Sequence, residues 1–461
     1  MKKMPIIRQS IEERRNMILN GSIVKTLIFL SVPTVLMAIV QSLVPVFDSL
    51  FLNRTSGPVV AAAVGFVTPV INVINGMSMG LGAAGMAMIG NANGRGDMPK
   101  VKHLATQLSV IGFTAGVLVA PLCAISALIL FKTVNSDIAG EVLIYMLLYS
   151  FVMPFLFLTA IFNAIKNAMG QPEATLYRMI ILMVLKIIFN TIYLYIFSLK
   201  TVGAVAGSFS SYFCVGVWMY FDLFGSKKKD GLTLKGFKLD REVLADIFRI
   251  GVPSMLNSMT VSLGFILINM EVQKYGAEIL NAETVASNLS NICFILPSSL
   301  STTVTTMVSM NMGRAETKRA KHSFYMACVM SLLMSLALML SFMPLSSKIL
   351  LLFLKDKDMI KIAQDAIGIY ILSIYGFSLY MMGQGVFIGL GRTKIPLVTG
   401  LLRIWLLRYI FILIFEKTMG VYSVFWGNLF SNTVAGLLCT FFATRIRWEV
   451  GFHVKERRRG A

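Results

Sequence analysis

The chain has 461 residues, of which 56% are hydrophobic and only 14% are charged, and its mean hydropathy is +0.75. Soluble domains carry about 25% charged residues, so these values exclude a soluble globular protein and indicate a polytopic membrane protein. The formal net charge of +20 would suggest nucleic-acid binding in a soluble protein. Here the lysines and arginines flank apolar segments, and we predict no nucleic-acid partner.

The predicted elements begin with a polar segment. Residues 1–22 contain no apolar core of a cleavable signal peptide, and they predict a short helix on the inner membrane surface. A helix needs about 20 mostly apolar residues to cross about 30 Å of hydrocarbon, and twelve later segments meet this requirement. The predicted spans are 23–52, 59–91, 104–130, 140–165, 174–198, 201–224, 243–272, 279–311, 323–346, 361–389, 395–415 and 420–444.

The chain contains an internal repeat. A polar connection at 225–242, "GSKKKDGLTLKGFKLDRE", separates six spans from the next six. "SVP" at Ser31–Pro33 recurs as "GVP" at Gly251–Pro253, and "GRGDMPKVKH" from Gly94 recurs as "GRAETKRAKH" from Gly313. A weaker third pair is "AMGQPEATLYR" and "GLGRTKIPLVT". Because each repeat has an even number of spans, both copies face the same way, and a transport cavity is expected between them.

This organisation predicts the domains and the orientation. Lysines and arginines are concentrated in the segments on the same side as both termini, so the positive-inside rule places both termini in the cytoplasm of a multi-pass protein of the cell membrane. The predicted domains are a cytoplasmic N-terminal segment (1–22), an N-lobe (23–226), a basic cytoplasmic linker (227–242), a C-lobe (243–445) and a basic cytoplasmic tail (446–461).

One carboxylate, Asp48 in "VPVFDSLFLN", lies within the otherwise apolar first span. A charge at the bilayer centre costs roughly 2.5 to 3.5 kcal/mol, so such an acid is usually functional. Lys186 and Asn190 share a face of the fifth span at a similar depth, which favours an Asp48–Lys186 contact. Protonating the acid would leave the ammonium unpaired and could change the shape of the protein, and Pro45 favours a bend in the first span. The alternative is a purely structural carboxylate.

Two arginines, Arg403 and Arg408, lie deep in the eleventh span. At five residues apart they would point roughly 140° from each other on an α-helix, so only one is expected to face a cavity. One interpretation is that they bind helix-end carbonyls, but their excess over acids also makes zwitterionic, anionic or lipid-linked cargo an alternative to drug cations. A net acidic cavity lining would favour cationic drugs, and a basic lining around Lys186 and the arginines would favour the alternative.

Several segments together resemble the MATE (multidrug and toxic compound extrusion) family. They are the early prolines of spans one and seven, "FDSLFLNR", "GMSMGLGAAGMAMIGNANGRGD" and "GVFIGLGRTKIPL". The resemblance covers about Lys25 to Trp448. It implies an all-α polytopic membrane protein with twelve transmembrane helices in two pseudo-symmetric six-helix lobes (MATE/MOP-type fold), alternating access, and export driven by proton or sodium entry. Because the wider superfamily also contains lipid-linked sugar flippases, the fold alone does not fix the cargo.

The resemblance also implies a coupling site in the N-lobe. Many members have an acid on span one, an Asn-x-x-x-Asp pair on span five and a threonine on span six. Asp48 matches the acid, Lys186 and Asn190 take the positions of the pair, and Ser208 takes that of the threonine. Hard cations need several oxygen ligands, so we expect protons rather than sodium. This altered site is closest to the DinF-like side of the family.

We therefore predict a secondary active exporter, an antiporter of amphipathic organic cations, drugs or metabolites; the alternative is export of anionic, zwitterionic or lipid-linked cargo. No catalytic constellation, metal site or cofactor is expected beyond the transmembrane ion gradient, and we predict a monomer whose partners are a small-molecule substrate and the lipid bilayer. Spans seven and ten contain no acid in "NSMTVSL" and "SLYMMGQG". The candidate cavity residues are Gln41, Asn257, Gln384, Arg403 and Arg408.

Overall fold

The computed structural model describes residues 10–133, 136–225, 231–353 and 356–452, which form helices and turns with no strand among them. Twelve of these helical segments are long and apolar enough to cross a membrane, in agreement with the twelve predicted spans. The helices are α1 (Ile11–Asn20), α2 (Ile23–Thr55), α3 (Pro58–Arg95), α4 (Met98–Thr133), α5 (Ser136–Tyr149), α6 (Met153–Ala168), α7 (Pro172–Asn190), α8 (Lys200–Phe224), α9 (Arg241–Gln273), α10 (Ala277–Gly313), α11 (Thr317–Phe353), α12 (Lys357–Gly389), α13 (Lys394–Leu401), α14 (Ile410–Met419) and α15 (Tyr422–Arg445).

Three spans depart from α-helical geometry. A 3-10 turn at Ser150–Val152 joins α5 to α6, α7 continues as a π-helix at Thr191–Ile196, and a π-helix at Leu402–Tyr409 joins α13 to α14. A π-helix bonds from i to i+5 and often marks a functional site. Both π-helices lie in the spans that carry the candidate cationic residues.

The internal repeat is visible in the backbone of the loops that follow corresponding spans. Gly96 and Ala315 both have left-handed φ values, 77° and 64°. In both loops the N–H of the next residue donates to the carbonyl five positions earlier, at 3.2 and 2.9 Å. The third repeated segment has the same turn at Gly170 and Gly391, with φ values of 73° and 69°. The turn is kept even at Ala315, where a side chain makes this conformation costly.

Close contacts between the lobes lie toward one end of the bundle. We call the end that contains α1 and the linker the linker end, and the opposite end the far end. In the linker-end halves of α2 and α10, the hydroxyls of Ser31 and Thr303 are 3.1 Å apart. A Cβ added at Gly80 of α3 would lie 2.6 Å from the backbone nitrogen of Met255 in α9. The lobes are therefore joined at the linker end, and the face where a cavity is expected lies farther along the helices.

Helix α1 packs against the linker end of both lobes. Arg14 is 1% exposed, donates to the carbonyl of Gly170 at 2.9 Å and pairs with Glu173 at 2.7 Å. On the C-lobe side, Arg319 donates to the carbonyl of Ile18 at 3.1 Å. The expected short helix is present, and these polar contacts fix it against both lobes, whereas its place at the inner membrane surface stays a prediction.

The described part of the linker is attached to the N-lobe. Gln107 donates to the carbonyl of Lys238 at 2.6 Å, and His103 contacts Asp240 at 3.2 Å. Burial alone would raise the pKa of Asp240, but hydrogen bonds from His103 and from two N–H groups at the start of α9 lower it below its ordinary value. The basic run 226–230 and the tail from 453 onward lie outside the described residues.

Candidate functional site

The far-end half of the N-lobe holds a buried charge pair between α2 and α7. The Lys186 ammonium donates to Oδ2 of Asp48, and the Asn190 side-chain amide donates to Oδ1 at 3.0 Å. The side chain of Lys186 is 10% exposed and that of Asp48 is 28% exposed. The structure therefore contains the favoured Asp48–Lys186 contact, and both carboxylate oxygens receive hydrogen bonds from nitrogen.

Ser208 is near this pair but does not join it. The residue is buried on α8, and within the described residues no hydrogen bond connects its hydroxyl to Asp48, Lys186 or Asn190. Its neighbour Gly207 makes the close approach, because a Cβ added there would lie 2.3 Å from Oδ1 of Asn190. Helix α8 thus contributes a close backbone surface in place of the expected hydroxyl.

Three further N-lobe residues were not identified from the sequence. Tyr145 and Tyr149 on α5 stack with ring centroids 5.5 Å apart and lie within electrostatic reach of Asp48. Arg178 on α7 is 2% exposed, and its Nε and Nη1 have no hydrogen-bond partner among the described residues. The available signals were the i, i+4 spacing of the tyrosines and the position of Arg178 on the same buried stripe of α7 as Lys186.

In the C-lobe, the π-helix places both candidate arginines in the interior. Arg403 and Arg408 are each 5% exposed and lie within electrostatic reach of each other. The expectation that they point about 140° apart was wrong. That angle assumes an α-helix, whereas a π-helix bonds from i to i+5 and brings residues five apart to nearly the same side.

The contacts of these arginines are with side chains. Arg403 donates to Oδ1 of Asn432 at 2.9 Å, and its guanidinium carbon lies 4.6 Å from the ring centroid of Tyr380. Arg408 lies 5.4 Å from the ring centroid of Phe265. Within the described residues neither guanidinium donates to a backbone carbonyl, and Nε of each has no hydrogen-bond partner. The helix-end-carbonyl role considered for them is therefore not what the structure shows.

An acid lies beside these arginines on the eighth span. The sequence analysis had looked for a C-lobe acid only in spans seven and ten. Glu283 on α10 is 5% exposed and accepts a hydrogen bond from the Tyr370 hydroxyl at 2.9 Å. Arg408 lies within electrostatic reach of both residues. Glu283 was overlooked because it lies close to the end of its span, where an acid is ordinarily solvated.

The other candidate cavity residues divide into two groups. Gln384 donates to the hydroxyl of Thr399 at 3.0 Å. A Cβ added at Gly400 would lie 1.9 Å from Oδ1 of Asn257 and 3.4 Å from the Tyr380 hydroxyl. Asn257 and Gln384 thus contact α13 next to Tyr380, the ring on which Arg403 stacks. Gln41 lies exposed on α2 and is not part of this group.

No group of three or more histidine, cysteine, aspartate or glutamate side chains in the described residues could hold a metal ion. At Asp48 the neighbouring donors are an ammonium and an amide NH₂, whereas a hard cation needs several oxygen ligands. The donors around Asp48 therefore do not form a hard-cation site.

A family model, MatE, matches the chain twice, at residues 33–192 and 253–414. The two matches begin 220 residues apart, which is the offset of the repeated "SVP" and "GVP". The chain is 22% identical to "Probable multidrug resistance protein YoeA" of Bacillus subtilis (strain 168), over 81% of this chain and 83% of that protein. It is also 22% identical to "Multidrug export protein MepA" of Staphylococcus aureus (strain MSSA476), over 92% of this chain and 94% of that protein.

Solved structures agree with the fold. One described as "Outward-facing conformation of a multidrug resistance MATE family transporter of the MOP superfamily" superposes with a TM-score of 0.87 at 21% identity, covering 93% of this chain and 96% of that one. Another, described as "Reverse polarity of binding pocket suggests different function of a MOP superfamily transporter from Pyrococcus furiosus", has a TM-score of 0.86 at 21% identity, covering 93% and 96%. The predicted fold class, twelve helices in two six-helix lobes, is confirmed. The chain belongs to the MATE family of multi-pass membrane transporters.

Proposed function

We propose that this protein is a secondary active exporter of amphipathic small molecules and that protonation of Asp48 couples proton entry to export. The observation that carries the proposal is the contact of Lys186 and Asn190 with the two carboxylate oxygens of Asp48. The similar proteins named for multidrug export and multidrug resistance support the export of drug-like compounds. The lobes are joined at the linker end, which supports a conformation open toward the far end.

Proton binding would alter the balance of charge in the N-lobe. Neutralising Asp48 leaves the Lys186 ammonium, only 10% exposed, without its counter-ion, and an unpaired buried charge costs several kcal/mol. This cost falls if α2 and α7 separate or if water reaches the ammonium. Tyr145 and Tyr149 are the other titratable groups near Asp48, and as neutral phenols they do not replace the lost charge.

Helix α2 can carry this change to the contact between the lobes. Pro45 lies inside α2 three residues before Asp48, and a proline inside a helix removes one backbone hydrogen bond and favours a bend. At the other end of the same helix, Ser31 contacts Thr303 of the C-lobe. A bend near Asp48 would therefore change the angle at which α2 meets α10, and protonation would favour one of the two alternating conformations.

The alternative cargo class has an observation in its favour. Among the described residues, the buried cations Lys186, Arg178, Arg403 and Arg408 have two carboxylates near them, Asp48 beside Lys186 and Glu283 beside Arg408. This basic excess favours cargo with an anionic group, either a zwitterion or an anion, over a simple cation. A binding pocket described as having reverse polarity occurs in a similar structure, so one fold accommodates more than one pocket charge.

The proposal is tested by transport in everted membrane vesicles under a proton gradient or a sodium gradient, imposed separately. The cargo is a fluorescent lipophilic cation or, in a parallel series, a fluorescent aromatic carboxylate. We expect proton-driven transport of at least one cargo by the wild type and none by Asp48→Asn. The matched control is Asp222→Asn, which breaks the Lys166–Asp222 pair (2.5 Å) at the linker end of the same lobe. Sodium-driven transport, or equal transport by Asp48→Asn, would contradict the proposal.

We also propose that both termini are cytoplasmic and that the protein is a monomer. The distribution of lysine and arginine supports this orientation, and the pairing of two lobes within one chain supports a complete transporter in each copy. A reporter fused to the C-terminus that is active only in the cytoplasm tests the orientation. The mass of the detergent-solubilised protein, measured by light scattering, tests the oligomeric state.

A further inference from the structure

The C-lobe contains a buried cluster of charged and aromatic side chains that proton coupling at Asp48 does not use. Its charged members are Arg403 and Arg408 on the π-helix and Glu283 on α10. Tyr370, Tyr380 and Phe265 are its aromatic members. The cluster lies in the packed interior of the C-lobe, where Tyr370 is 2% exposed and Tyr380 is 1% exposed.

The charges of this cluster do not balance. The cluster has two guanidiniums and one carboxylate, Glu283, which lies near Arg408 and already accepts a hydrogen bond from the Tyr370 hydroxyl. In the described residues, neither arginine has a carboxylate within the distance of an ion pair, and Nε of each lacks a hydrogen-bond partner. A buried cation without a carboxylate partner is costly, so the electrostatics of the cluster favour binding of an anion.

The backbone geometry indicates that the pairing of the two arginines is specific. On a regular α-helix, residues five apart would diverge, whereas the π-helix at Leu402–Tyr409 leaves both arginines buried in the C-lobe interior. Holding two like charges together opposes stability, and π-helices of this kind are frequent at functional sites. Guanidiniums are planar forks that match the geometry of carboxylate and phosphate oxygens.

The surroundings also indicate what the anion is attached to. Arg403 lies over the rings of Tyr380 at 4.6 Å and Phe377 at 5.6 Å, and Phe377 forms an edge contact with Phe294 at 4.8 Å. Such rings favour flat apolar groups. Phe265, over which Arg408 stacks, is 41% exposed, so rotation of this ring would open Arg408 to the surface of α9.

We propose that Arg403 and Arg408 together bind the carboxylate or phosphate group of an amphipathic aromatic cargo. This inference rests on the proposed function as an exporter and specifies the chemical class of what is exported. Asn432, which accepts from Arg403 at 2.9 Å, orients one guanidinium. Glu283 competes with the cargo for Arg408 and lowers the excess charge while the site is empty.

The test is equilibrium binding to purified, detergent-solubilised full-length protein, measured by titration calorimetry with no ion gradient. The probes are 2-naphthoate, 2-naphthyl phosphate and the uncharged 2-naphthamide. We expect one or both anionic probes to bind about 10-fold more tightly than the amide, as charge-assisted hydrogen bonds predict. Preference for naphthoate identifies a carboxylate cargo, and preference for the phosphate identifies a phosphorylated one. Equal binding of all three probes, or no binding, overturns the inference.

Variants locate the site. Arg403→Gln and Arg408→Gln are each expected to weaken anion binding about 10-fold without changing the affinity for 2-naphthamide. The control is Arg445→Gln, an arginine that stacks on Phe441 at 5.7 Å; it is expected to bind as the wild type does. If the glutamine variants do not fold, Arg403→Lys and Arg408→Lys keep the charge, and wild-type affinity in both would contradict a bidentate site.

The two proposals fail separately in these experiments. Anion binding that depends on Arg403 and Arg408, without proton-driven transport of any cargo, would overturn the coupling proposal alone. Asp48-dependent transport in a protein that shows no preference for the anionic probes would overturn the arginine site alone.

Discussion

The two lobes repeat one backbone but differ in their buried charges. Both copies keep the left-handed turn after the second span, at Gly96 and Ala315. In the N-lobe, one carboxylate is matched by one ammonium, Lys186 to Asp48. In the C-lobe, Arg408 lies near one carboxylate, Glu283, and near a second guanidinium, that of Arg403. The comparison teaches that duplication fixes where helices and turns lie, whereas the interior side chains can diverge to serve separate tasks, which we propose to be proton coupling and anion binding.

The largest expected effect comes from breaking the balanced pair. Asp48→Ala should lower the free energy of unfolding by about 3 kcal/mol, because it leaves the Lys186 ammonium buried and unpaired. Lys186→Ala should have a similar effect, whereas the double variant lacks both charges and should cost much less than the sum. Thermal unfolding in detergent measures all four proteins, and a coupling energy of about 2 kcal/mol or more is expected.

The control for this cycle is an exposed pair. Arg392 and Glu449 are 3.5 Å apart with side-chain exposures of 25% and 66%, and such pairs contribute about 0 to 1 kcal/mol. A coupling at Asp48 and Lys186 no larger than this would show that the N-lobe pair is effectively solvated, and the cost of protonation argued above would disappear.

A smaller effect is expected from neutralising Glu283, the carboxylate beside Arg408. Glu283→Gln keeps an acceptor for the Tyr370 hydroxyl but removes the carboxylate nearest Arg408, so we expect a loss of about 1 to 2 kcal/mol in the free energy of unfolding. The same variant should bind 2-naphthoate more tightly, because the competing carboxylate is gone. Thermal unfolding and calorimetry are the two measurements, and weaker naphthoate binding would contradict the competition.

Because charged residues are rare in the spans, the sequence was enough to predict the Asp48–Lys186 contact and the twelve spans. Asp48 and Lys186 are isolated within apolar segments, so their depth and helical spacing were enough to favour the contact that the structure contains. The twelve spans were equally accessible, because hydropathy and length depend on composition alone. The repeat was readable because "GRGD" and "GRAE" keep a glycine, an arginine and an acid in register.

What was missed depends on local backbone geometry and on packing. The π-helix at Leu402–Tyr409 has no simple sequence signature, so the relation of Arg403 to Arg408 was assigned with the wrong helical period. Glu283 is buried by the tertiary contact with Tyr370, which its position near a span end did not indicate. Ser208 was assigned by alignment to a motif, whereas packing gives the contact with Asn190 to its neighbour Gly207.

This contact of Gly207 gives the third prediction, again for the N-lobe. In Gly207→Ala the new Cβ would lie 2.3 Å from Oδ1 of Asn190, so Asn190 must rotate and give up its hydrogen bond to Asp48. We expect a loss of about 1 kcal/mol in the free energy of unfolding and slower proton-driven export with the Lys186 contact retained. Gly65→Ala on α3, where no atom lies within 4 Å of the new Cβ, is the control and should behave as the wild type.

The smallest effect on the free energy of unfolding is expected in the C-lobe, where cations outnumber the acid beside them. The same kind of substitution in the N-lobe should have a much larger effect. Arg408→Met removes one of two neighbouring guanidiniums, so the gain from relieving their repulsion offsets the loss of the attraction to Glu283. Because Arg408 has no ion-pair partner among the described residues, its removal breaks no pair and relieves the cost of burying a charge, and the free energy of unfolding should change by less than about 1 kcal/mol. Lys186→Met is the matched variant in the N-lobe, and it should destabilise the protein as Lys186→Ala does. A loss in Arg408→Met as large as that in Lys186→Met would mean that Arg408 neutralises Glu283 as fully as Lys186 neutralises Asp48. Arg408 would then have no unbalanced positive charge with which to bind an anion.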